Sequence, residues 1–199
     1  PDRAGIAVTA RGVTVGPDLR STNRRVYAVG DAAGGMQFTH LAGHHASVVI
    51  RAMLFGLPSR VSDIIPRVIY TDPELAHVGL TEAEARARHG DRLTVIRQPF
   101  AGNDRAMAEA RTEGLLKLVV AGGRPVGVSI VGDRAGELIG LWALALAGRV
   151  KLSTVAGLVL PYPTLSETAK RAAGACFSPR LFGNPLVKGV VRLVQRALP

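Results

Sequence analysis

Apolar and polar positions change their spacing along the chain, and each change marks an element. Ile6-Ala7-Val8 and Gly12-Val13-Thr14-Val15 are short apolar runs around a turn, which predicts two paired strands. A polar, turn-rich stretch from Pro17 to Arg25 leads to Val26-Tyr27-Ala28-Val29, a compact apolar strand halted by Gly30-Asp31. From about Gln37 to Phe55 the apolar residues Leu41, Ala42, Ala46, Val49, Ile50, Met53 and Leu54 fall at helical spacing. Gly56-Leu57-Pro58 predicts the end of that helix.

A linker at 57–66, bounded by prolines, separates this pattern from a second one. Val68-Ile69-Tyr70 and Leu75-Ala76-His77-Val78 read as strands flanking Thr71-Asp72-Pro73-Glu74. Thr81 followed by Glu84 is a capping-box signature for a helix start. Three further strands are predicted at Leu93 to Gln98, Gly114 to Ala121 and Val126 to Val131, the last two joined by a Gly122-Gly123 hairpin turn. Helices follow over Glu137 to Ala147, stopped by Gly148, and over Thr168 to Phe177. The tail from Pro179 is basic and amphipathic. Strands grouped ahead of helices, rather than alternating with them, predict an α+β unit with an antiparallel sheet. The expected division is 1–60, 65–178 and a tail at 179–199.

Composition narrows the possibilities. With 47% hydrophobic residues the chain has material for a packed core. The net charge of +10 raises nucleic-acid binding, but no compact basic run interleaves with aromatics, so the charges read as solvated and no nucleic-acid partner is expected. Cys176 is the one cysteine, so the chain holds no internal disulfide or redox pair, and a buried thiol is expected. No apolar run is long enough to span a bilayer and no signal peptide opens the chain, which favours a cytoplasmic setting. The start at Pro1-Asp2-Arg3 is expected to lie inside a longer protein. His44 and His45 face different directions on a helix, and His77 and His89 have no partner at ligand spacing, so no metal site is assigned.

Two segments could carry chemistry. In Val26 to Gly34 an apolar strand ends in Gly30-Asp31 and small residues lead to a helix. Such a glycine admits close approach to the backbone, the aspartate can accept ligand hydroxyls, and a helix start offers free N–H groups. A plain turn explains the same residues equally well. This segment resembles the second FAD-binding motif of the flavoprotein disulfide reductases, the family of dihydrolipoamide dehydrogenase, glutathione reductase and mercuric reductase. The resemblance implies that Asp31, with Gly30 before it, binds FAD hydroxyls, and that Gln37-Phe38-Thr39-His40 lies near the pyrimidine side of the flavin. It further implies NAD(P)H as electron donor in the intact protein.

The resemblance continues through Pro66 to Thr81, Arg105-Ala106, the strand from Gly114 to Val119, and Ile130-Val131-Gly132 with Gly136-Glu137, all matching the family's dimerisation domain. A homodimer is implied. It ends on Tyr162-Pro163-Thr164-Leu165-Ser166-Glu167. Most of the family carries a His before that Pro-Thr, acting as acid–base at the partner subunit's cysteines and oriented by the Glu. Here Tyr162 replaces it, as in mercuric reductase and its relatives. A phenol with a pKa near 10 is a poor base at neutral pH but a good hydrogen-bond donor. Tyr162 and Glu167 are therefore the expected acceptor-site residues, with an interface aromatic as the competing role for Tyr162. The C-terminal cysteine pair of mercuric reductase has no counterpart here, so mercury reduction is not expected. The acceptor is expected to be a disulfide or related small molecule. A stand-alone, non-catalytic dimerisation module is the alternative. For the tail, covering its own domain or a partner copy is favoured over lying on a membrane surface.

Overall fold

The computed structural model describes residues 1–178 and 183–197. The chain folds as two compact units that part between Asp63 and Ile64.

In the first unit, β1 (Val8–Thr9) pairs antiparallel with β2 (Gly12–Val13). Both are shorter than the apolar runs that predicted them. The run Val26–Val29 does not become a strand. Tyr27 makes an isolated bridge to Arg20. Ala28 N–H donates to Leu19 O at 3.1 Å, and Ser21 N–H donates to Val26 O at 2.9 Å. The loop at Leu19–Ser21 is thus the neighbouring backbone, and Leu19 has a φ of 65°, which breaks a continuous ladder. The helix α1 (Thr39–Phe55) ends at Gly56 in the left-handed region, as its glycine predicts. Leu19, Val48 and Val49 form a small core with Val15, Tyr27, Ala33 and Val61 around it.

The second unit is built on a five-stranded antiparallel sheet in the order β3-β4-β7-β6-β5. The strands are β3 (Arg67–Ile69), β4 (Glu74–Gly79), β5 (Leu93–Pro99), β6 (Leu115–Ala121) and β7 (Arg124–Gly132). The class is α+β, as predicted. Alternate residues Ala76, Val78, Leu116, Leu118, Val128 and Ile130 turn inward and are buried. Against them pack Ile139, Trp142 and Leu146 of α4 (Ala135–Ala147), together with α5 (Leu152–Ala156) and α6 (Glu167–Ala175). Trp142 and Phe100 are the largest fully buried side chains.

Local chemistry explains several element boundaries. Gly122 and Gly123, with φ of 56° and 74°, make the β6–β7 turn, where two positive-φ residues match the strand twist. In α2 (Glu82–His89) the capping box is complete: Glu84 N–H donates to Thr81 Oγ1 at 3.3 Å, and Thr81 N–H donates to Glu84 Oε2 at 2.8 Å. The first turn of α4 is capped by Glu74, whose Oε2 accepts from Gly136 N–H at 2.8 Å. The helices α3 (Asp104–Ala108) and α5 have five residues each, too few to show a period in the sequence. The final helix, α7 (Pro185–Ala197), buries none of its residues. The expected cover of the tail over its own domain is not seen among the described residues, where Val187 alone of the helix is half-buried. Its predicted start at Pro179 lies outside the described residues.

Candidate functional site

The first candidate site is the turn between Val29 and α1. Gly30 opens a single turn of 3-10 helix, Gly30–Ala33, with a φ of 59°. A Cβ on Gly30 would come within 3.0 Å of Ala42 Cβ, so the turn lies tight against α1. His45, buried on α1 one turn further along, fixes it: Gly30 N–H donates to His45 Nδ1 at 3.0 Å. Burial lowers the His45 pKa, and the like charge of neighbouring His44 lowers it further. The neutral ring carries its proton on Nε2 and leaves Nδ1 as acceptor. His44 points elsewhere, and its Nε2 accepts from Ser62 N–H at 3.1 Å. The paired histidines thus hold two loops.

Held this way, Asp31 stands exposed, and no hydrogen bond or ion pair engages its carboxylate among the described residues. Gln37, Thr39 and His40 are exposed as well, and Phe38 is half-buried. The Phe38 ring stacks on His40 with centroids 5.2 Å apart. Phe38 occupies the N-cap of α1 and makes no side-chain cap hydrogen bond to the first helical turn. A hydroxyl-rich ligand at Asp31 and an electron-rich group at the α1 start are what this arrangement can hold.

The second candidate site lies in the other unit. The Tyr162-Pro163 bond is cis. Tyr162 is 69% exposed, and its hydroxyl donates to Asp104 Oδ2 at 2.8 Å. That hydrogen bond, and then the carboxylate charge, raises the phenol pKa. Tyr162 therefore stays protonated and acts as a donor. Arg171 Nη2 lies 3.6 Å from Asp104 Oδ2, and Arg171 also donates to Gly102 O. Asn103, 1% exposed, stitches the loop down. Its Nδ2 donates to Thr164 O at 3.0 Å and to Thr168 Oγ1 at 3.2 Å, while its Oδ1 caps α3 through Ala106 N–H.

Glu167 opens α6, and its Oε2 is buried with no hydrogen-bond partner among the described residues. Tyr162 and Glu167 are not hydrogen-bonded to each other, and Asp104 takes the orienting place beside the phenol. Sequence reading missed His45, Asn103, Asp104 and Arg171. A faint signal existed for Asn103, an N-cap residue ahead of Asp104.

Residues 65–173 match the family described as "Pyridine nucleotide-disulphide oxidoreductase, dimerisation domain". The chain belongs to this family and carries its dimerisation domain. Among its relatives, dihydrolipoyl dehydrogenase of Chlorobaculum parvum is 39% identical over 87% of this chain and 38% of the relative. Mercuric reductase of Acidithiobacillus ferrooxidans is 33% identical over 86% of this chain and 32% of the relative. The HOCl-induced flavoprotein disulfide reductase RclA from Escherichia coli, in its Cu(II) complex, superposes with a TM-score of 0.80 at 28% identity, over 88% of this chain and 41% of that one. The chain thus spans about two fifths, or less, of the length of these relatives.

Proposed function

We propose that this chain is part of a homodimeric, FAD-dependent NAD(P)H oxidoreductase that reduces a disulfide or related small-molecule acceptor. In this reading its first residues, to about 60, complete an FAD-binding domain, and residues 65–178 form the dimerisation domain. The observation that carries the cofactor assignment is the Gly30 turn. His45 and Ala42 fix the backbone, Asp31 projects a carboxylate unengaged among the described residues, and Phe38 places no side-chain cap on α1. These residues fit FAD: Asp31 suits its hydroxyls, and the Gln37–His40 segment suits the electron-rich edge of a flavin. Bound there, FAD supplies two-electron transfer between the nicotinamide and the acceptor. The chain's own part is to orient the cofactor and place donor dipoles beside it.

The homodimer rests on a row of apolar side chains on the sheet face opposite α4. Ile69 pairs with Leu75, Leu75 with Val131, and Val131 with Leu115, so one line of apolar residues crosses four strands. Ile69, Leu75 and Val131 are all exposed. Contiguous exposed apolar surface of this kind marks a protein interface. The unmatched Oε2 of Glu167 supports an external donor from the partner subunit, because an unpaired buried carboxylate oxygen is costly. Tyr162 and Glu167 would then shape the partner's acceptor site, Tyr162 as a hydrogen-bond donor rather than a base.

The test is purification of the intact protein and its Asp31→Ala variant, with a visible spectrum and NAD(P)H oxidation in the presence of a small disulfide. The expected outcome is a yellow protein that oxidises NAD(P)H, and a variant that loses flavin. An intact protein without flavin would overturn the reading in favour of a non-catalytic dimerisation module.

A further inference from the structure

The helix α7 sorts its side chains by chemistry. At about 100° per residue, Leu186, Val187, Val190, Val191, Leu193 and Val194 fall within roughly 160° of arc. Lys188, Arg192 and Arg196 line the opposite side at successive four-residue steps. No acidic residue lies between Pro185 and Ala197. Like charges spaced in this way repel one another along a helix, and no acid of the helix offsets them. Leu186, Val190, Leu193 and Val194 are exposed, and no residue of the helix is buried.

We infer that α7 is an interfacial anchor that lays the protein on an anionic phospholipid bilayer. The apolar arc would sink to the level of the acyl boundary while the three cations meet lipid headgroup phosphates. Length separates lying from crossing: thirteen residues span about 20 Å, against a hydrocarbon core of about 30 Å. A second copy of the helix fits this surface less well. The apolar arc is wider than a coiled-coil seam, and the flanking positions offer cations with no acids to answer them. A nucleic acid would use the cations and leave the apolar arc in water. Membrane anchoring by α7 is independent of the flavoprotein reading.

The test is flotation of the full chain with phosphatidylcholine vesicles, with and without phosphatidylglycerol. The expected result is flotation with the anionic vesicles alone, lost at high salt. Val190→Glu combined with Val194→Glu should lower the bound fraction at least about tenfold. Lys188→Gln should lower affinity about fivefold. These positions are not buried, so the variants should keep the circular dichroism of the folded sheet domain. No flotation with anionic vesicles would overturn the inference, and so would flotation that the double variant leaves unchanged. A double variant that changes the oligomeric state, in a chain that never floats, would assign the helix to a second copy instead.

Discussion

At the residue scale, the neighbour of Tyr162 decides its chemistry. Asp104 accepts the phenol's hydrogen bond and holds the phenol pKa above its usual value. Asp104→Asn should bring that pKa back down, read by ultraviolet titration against a Tyr162→Phe control. On the proposed flavoprotein reading, Tyr162→Phe in the intact protein should slow acceptor reduction while leaving flavin content unchanged; an unaltered rate would remove the hydroxyl from the site's function. His45 supplies a pH dependence. Its folded pKa lies below the ordinary value of about 6.5, so near that value the unfolded chain binds a proton that the folded chain refuses. Stability is therefore complete above about pH 6.5 and falls as the pH drops toward the lowered folded pKa. His77 contributes with the same sign: burial is the main cause of its lowered pKa, and its ring is held between Ser129 Oγ and Gly79 O. Denaturant melts of His45→Leu should show a loss of about 1–3 kcal/mol from the unpaired Gly30 N–H, with a flatter response to acid. These partners were illegible in the sequence because they are distant in it. Asn103 and Thr168 are 65 positions apart, and Gly30 and His45 are 15 apart.

At the element scale, what is encoded within a few residues was readable. The Thr81–Glu84 capping box, the Gly122-Gly123 turn and the Gly56 stop all formed as the sequence predicts. Each depends on chemistry that acts locally. The apolar run Val26–Val29 shows the opposite case, since a strand needs a neighbour and pairing is not written in the run itself. Thr81→Ala should cost about 1 kcal/mol by thermal melting. Gly127→Ala should cost far more, because its Cβ would sit 1.8 Å from Leu80 O and backbone would have to move. If the two variants melted alike, the close approach of β7 to Leu80 would be wrong.

At the scale of the whole molecule, the dimerisation domain divides its labour between two sheet faces. One buries Trp142 and the α4 contacts, and the other displays the row from Ile69 to Leu115. Leu75→Asp with Val131→Asp should leave the first face intact and turn the proposed homodimer into a monomer by size-exclusion chromatography. The Pro161–Glu167 loop sits apart from this division, fastened by Asn103, while Asp104 meets it only through the Tyr162 hydroxyl. Asn103 engages Thr164 and Thr168 but not the residue at 162, so the loop behaves as a socket whose occupant can be exchanged without rebuilding the mount. On the proposed flavoprotein reading, exchange of phenol for imidazole at that one position would retune reactivity at the cost of the hydrogen bond to Asp104 alone, and a designer could follow that route with Tyr162→His.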